Sequence, residues 1–218
     1  MTGPTDDGVR AQLDATVPRL AAVVSEAEPV LTALDEASGD GDFGSNLDEG
    51  LVRVQTRVAA GEAGWPALVG VFLDEVGGTS GPLFGLLFQS VGRAASSAES
   101  YLGALADGLD GGLTAIQRVG EAQLGDRTLV DALAPAVAAL REQPGDAEAM
   151  VRASVDGALG TAKIRARRGR SSYVGDKALG HPDPGAVGIA LLLTVLAEPV
   201  LGAAIPERER TRLLEPEG

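Results

Sequence analysis

The chain has 218 residues, a formal net charge of −13, 44% hydrophobic residues and only 3% aromatics. Such acidity disfavours binding to nucleic acid and to an anionic membrane surface. The absence of cysteine excludes disulfides, thiolate metal sites and cysteine nucleophiles, and a single histidine, His181, excludes any site needing two imidazoles. A core of Ala, Leu and Val suits packed helices. The first residues show neither the basic start nor the apolar run of a secretory leader, so a cytoplasmic location is expected.

Apolar periodicity predicts eight helices. In chain order they span 9–34, with a bend at Pro18, then 45–60, 65–76 and 82–95. The fifth, 98–119, is interrupted by the glycine-rich DGLDGGL; 129–142, 146–167 and 185–201 follow. No alternating strand pattern survives between turn signals. The segments 1–8 and 206–218 read as flexible termini of a single helical domain, and the apolar run 186–196 is too short to span a bilayer. The expected fold is therefore all-α, an antiparallel up-and-down bundle or barrel of eight helices.

The connections differ in kind. Those after the predicted helices one, three, five and seven are SGDGDFGSN, GGTSGP, LGDRT and GRSSYVGDKALGHPDPGA; those after two, four and six are plain turns. Short connections make successive helices antiparallel, so every chemically rich loop falls at one end.

At that end, Asp35, Asp40 and Asp42 lie in LDEASGDGDFG. Two carboxylates about 4 Å apart repel by roughly 4 kcal/mol at an effective dielectric near 20, so a trio favours a cation. An oxygen-only donor set suits a hard divalent ion; the bland alternative is an acidic turn that caps the next helix. Helix starts at Ser45 and Asn46, at Thr79 and Ser80, at Thr128 with Asp131, and at Asp183 with Pro184 offer N–H groups suited to phosphate. The basic residues Lys163, Arg165, Arg167 and Arg168 read as the solvated end of the seventh helix, while Arg170 lies past it and can reach an anion.

The ordered blocks LDEASGDGDFGSN, GGTSGPLFG, GDRTLVDALAPA and GRSSYVGDKALGHPDPGA resemble the nucleotide-binding L subunit of dihydroxyacetone kinases. The resemblance covers most of the chain and implies a barrel of eight antiparallel helices with an ADP or ATP site at one end. It implies Asp35, Asp40 and Asp42 as ligands of two Mg²⁺ ions, and these three with Arg170 as the catalytic set. Phe43, Gly44, Ser45, Asn46, Thr79, Ser80, Gly120, Leu129, Arg170, Asp183, Pro184 and Gly185 would bind the nucleotide. The activity implied is phosphoryl transfer to a keto-sugar held on a separate K subunit, the phosphoryl group coming from free ATP or from a phosphotransferase-system protein. Phe43 departs from the family pattern, which has His or Thr there, and it removes a hydrogen-bond donor beside the phosphates. A non-catalytic Mg-nucleotide-binding regulatory module is the alternative that this departure favours.

Overall fold

The computed structural model describes residues 6–169 and 171–215. Ten α-helices form there, with no strand among the described residues: α1 (Asp6–Glu36), α2 (Phe43–Ala59), α3 (Gly64–Asp74), α4 (Ser80–Ala95), α5 (Tyr101–Gly120), α6 (Val130–Glu142), α7 (Ala147–Gly160), α8 (Ser171–Val174), α9 (Pro184–Leu201) and α10 (Ala204–Leu214). Eight of them, all but α8 and α10, pack as a closed ring in which each meets the next and α9 returns to α1. The expected eight-helix barrel is thus present, with two helices added. One continuous apolar cluster fills it, running from Val9 in α1 to Leu196 in α9 and Leu213 in α10.

The additions and boundary shifts have local causes. α5 runs unbroken through DGLDGGL, because its glycines are packing positions: a Cβ on Gly108 would lie 2.5 Å from the Val91 Cα of α4, and one on Gly112 would meet Leu87. α7 stops at Gly160 instead of reaching 167. The next residue, Thr161, is fully buried, and its Oγ1 accepts the Asp183 N–H at 2.7 Å while donating to the Ala158 carbonyl. The chain then passes through a single 3-10 turn, Thr161–Lys163, into an irregular segment. α8 is one turn inside the long connection to α9. The ends expected to be flexible are partly helical: residues 6–8 belong to α1, and α10 covers most of 206–218, with Glu209 and Leu213 buried.

Within the ring, α9 is buried continuously from Pro184 to Ala197. At 18 residues and a mean hydropathy of 1.8 it is long and apolar enough to cross a bilayer, contrary to the expectation from its apolar run. Here 78% of it is buried, against α1, α6, α7 and α10.

Candidate functional site

The last turn of α1 ends in the acidic loop. Asp35 is only 7% exposed, and its Oδ2 accepts the Phe43 N–H at 3.1 Å, so a carboxylate from α1 caps the first turn of α2. The loop folds back tightly: Ser38 N donates to the Asp35 carbonyl at 3.0 Å and Ser38 Oγ to that of Leu34 at 2.8 Å. Gly41 takes the left-handed conformation (φ 79°), which spares a side chain strain. The turn brings carboxylate oxygens of Asp35, Asp40 and Asp42 within 4.8 Å of one another. A divalent cation would offset mutual repulsion at that spacing, and the all-oxygen donor set fits a hard ion such as Mg²⁺.

These aspartates form one wall of a cavity into which all four chemically rich loops converge. Phe43, Asn46, Thr79, Ser80, Gly120, Leu129, Asp183, Pro184 and Gly185 also line it. Gly44 and Ser45 do not. Gly44 faces α1, where a Cβ would lie 2.6 Å from the Glu28 carbonyl oxygen, and Ser45 Oγ donates to the Asp42 carbonyl at 3.0 Å. Phe43 contributes mostly as core: its ring packs against Phe84 (centroids 6.3 Å apart) and lies close to Gly188 of α9. Thr79 gives α4 no side-chain cap, so first-turn N–H groups of α4 lie uncapped at the cavity.

The start of α6 and the connection into α9 supply a further part of the lining. Asp131 accepts from Gly125 N at 2.6 Å and Thr128 N at 2.8 Å, the second being the reciprocal half of the predicted capping pair. Asp183 caps α9 through Ala186 N at 2.9 Å, ahead of Pro184. Burial pushes the Asp183 carboxyl up to about 6; negative Asp131 and Asp35 add to this, while the Ala186 N–H and Arg127 oppose it.

Arg127 is the residue that sequence reasoning missed. It is 1% exposed, lines the cavity and has a left-handed backbone (φ 61°). Its Nη2 donates to the carbonyls of Ala178 and His181, both at 2.9 Å. Burial lowers the guanidinium from its ordinary value, and Asp183 counters that. The available signal is a lone cation inside LGDRT, a loop grouped above with the chemically rich ones but with no role given to its arginine.

The basic run is not a helix end. Arg165 pairs with Asp176 inside the α7–α9 connection at 3.2 Å, whereas Arg168 pairs with Glu121 at 3.2 Å and Arg167 N donates to the Asp126 carbonyl at 3.1 Å, which tie that connection to the α5–α6 loop. Arg168, Gly169 and Ser171 line the cavity. Arg170 lies outside the described residues.

A closed helical ring with an acidic trio and a buried arginine at one end defines a class: an all-α domain with a charged cavity at the mouth of a barrel. Residues 37–198 match the family model of the DAK2 domain, and the chain belongs to that family. It is 34% identical over 184 residues to the ADP-binding subunit DhaL of PEP-dependent dihydroxyacetone kinase 1 of Listeria innocua, covering 80% of this chain and 89% of that one. The corresponding Escherichia coli subunit is 33% identical over 205 residues, covering 86% and 96%. Among solved structures, the dihydroxyacetone kinase of C. freundii in complex with AMP-PNP and Mg²⁺ superimposes with a TM-score of 0.67 at 28% identity, over 87% of this chain and 34% of that one. This chain therefore spans about a third of that longer kinase and nearly the whole of the DhaL subunits.

Proposed function

We propose that this protein is the nucleotide-binding subunit of a dihydroxyacetone-type kinase, holding ADP or ATP and presenting the phosphoryl group to the hydroxyl of a keto-sugar on a separate K-type subunit. The observation that carries this reading is the meeting of Asp35, Asp40 and Asp42 with the uncapped start of α4 in one cavity. Full-length similarity to subunits named for ADP binding supports it.

Asp35, Asp40 and Asp42 would hold two Mg²⁺ ions, which neutralise phosphate charge when bound. The start of α4, with Thr79 and Ser80, donates N–H groups to phosphate oxygens. Asn46, Gly120 and Leu129 shape the rest of the nucleotide cleft, and Asp183, Pro184 and Gly185 close it. Arg170, by its motif position, adds a cation. Positioning and charge neutralisation are what phosphoryl transfer requires of a protein, so no nucleophilic side chain is needed. The phosphoryl group reaches the nucleotide either with fresh ATP or from a phosphotransferase-system protein; retention of ADP through purification distinguishes the second route.

Calorimetry of Mg-ADP binding tests the site. Asp40→Ala and Asp42→Ala should each weaken binding by at least about tenfold, roughly 1.4 kcal/mol, and Mg²⁺ removal should do the same to the parent protein. Undiminished affinity in both variants refutes the metal-assisted reading. Phosphorylation of dihydroxyacetone with an added K-type subunit separates the kinase subunit from a regulatory module, which would bind ADP and transfer nothing.

A further inference from the structure

The charged residues lining the cavity, among those described, are Asp35, Asp40, Asp42, Asp183, Arg127 and Arg168. Arg168 is about half exposed and already paired with Glu121. Arg127 is the buried cation of the site, and it is only half used. Nη2 serves two carbonyls of the connection into α9, whereas Nε and Nη1 are buried with no hydrogen-bond partner. Orphaned donors on a charged group are rare in protein interiors, and a guanidinium cannot relieve the deficit by losing its proton. Asp183, whose negative charge acts on the guanidinium, accepts the Ala186 N–H through its Oδ2.

We propose that Arg127 is a nucleotide-positioning residue, whose Nη2 holds the 178–181 segment and whose Nε and Nη1 find their acceptors in oxygens of a bound nucleoside diphosphate. The same guanidinium then ties the ligand to the connection that carries Asp183, Pro184 and Gly185, so occupancy of the cavity orders that connection. This inference rests on the nucleotide reading above and extends it to Arg127, a residue to which the resemblance assigns no role.

The structure supplies the reason for a residue of this shape. The α6 start and the 178–181 segment approach each other with few direct backbone bonds; the bonds at hand are Gly180 N to the Ala162 carbonyl and Asp183 N to Thr161 Oγ1, both reaching the end of α7 instead. Arg127 ties the 178–181 part of the connection to the α6 side, beyond the bond that Arg167 N makes to the Asp126 carbonyl. A planar side chain with five N–H donors can satisfy two loop carbonyls and a ligand at once.

The test compares the parent protein with Arg127→Met and Arg127→Lys by calorimetry, by melting temperature with and without Mg-ADP, and by hydrogen exchange over residues 175–182. The Met variant should bind Mg-ADP at least tenfold more weakly, show less than half the parent's ADP-induced rise in melting temperature, and lose the ADP-dependent protection of 175–182. The Lys variant, which keeps the charge, should recover part of the affinity. A purely structural arginine would lower the melting temperature of the free protein while leaving the ADP-induced rise and the affinity within twofold of the parent; that result overturns the inference. Should the Met variant not fold, Arg127→Gln, which can still donate to a loop carbonyl, takes its place with the same expected loss and the same overturning result. Failure of the parent protein itself to bind Mg-ADP would refute the nucleotide reading, a separate outcome from parent-like binding by the variants.

Discussion

Asp183 shows how one side chain joins stability to the site. Its carboxyl caps α9 while sitting 7% exposed, and burial raises it from 3.8 to about 6. A raised carboxyl favours the folded state fully below its unfolded value and loses that contribution as pH rises through the folded one. The shift corresponds to a cost on the order of 3 kcal/mol above about pH 6. Asn caps a helix as well as Asp does and carries no charge. In chelator, urea unfolding should therefore show Asp183→Asn more stable than the parent at pH 7–8, with the difference vanishing near pH 4. Equal stabilities across that range would show that the carboxyl is solvated after all. Residues such as Asp183 and the acidic trio are legible in the sequence because local chemistry announces them: closely spaced carboxylates among glycines, and a carboxylate just ahead of Pro184. Arg127 is illegible for the opposite reason. Its acceptors are carbonyls 51 and 54 residues away, and no local pattern encodes them.

At the scale of elements, the same residue type has opposite effects in different places. Gly108 lies inside α5 against the Val91 backbone of α4, whereas Gly160 ends α7 with open space around it and an ordinary helical backbone (φ −60°). Alanine improves helix propensity at either position by up to about 1 kcal/mol. At Gly160 nothing offsets that gain, so Gly160→Ala should stabilise the protein by roughly 0.5–1 kcal/mol. At Gly108 the new methyl forces α4 and α5 apart, and Gly108→Ala should destabilise by roughly 1–3 kcal/mol. Urea unfolding of the two variants checks both signs. Read from sequence, DGLDGGL looks like a helix break because propensity is local and close packing is not. The end of α7 is hidden for a related reason, since Thr161 is claimed by Asp183 N across 22 residues. α10 is hidden by its charges: ERERTR reads as a solvated tail, yet Glu209 is buried between Arg208 and Arg212, and Arg212 reaches Asp156 of α7 at 2.7 Å.

Across the whole molecule, α10 acts as a clasp on the ring. Arg210 Nη1 donates to Glu198 Oε1 at 2.7 Å, and the same carboxylate pairs with Arg19 at 3.1 Å, so α10, α9 and α1 share one charge cluster. Leu213 is 1% exposed. A chain ending at residue 203 would lose that leucine, worth about 2 kcal/mol, and leave Glu198 short of a buried partner. Urea unfolding should show it less stable by at least about 3 kcal/mol, with the apolar flank of α9 exposed and detectable as dye binding and aggregation. The arrangement also makes the two ends of the barrel unequal. Helices α2, α4, α6 and α9 all start at the cavity, so the three plain turns gather at the far end, and Glu99 lies exposed in one of them. Because the chain contains no cysteine, a thiol introduced by Glu99→Cys would be unique in it. That position offers a handle for a fluorophore or a surface tether on the side facing away from the mouth, leaving the chemistry untouched while the molecule is watched.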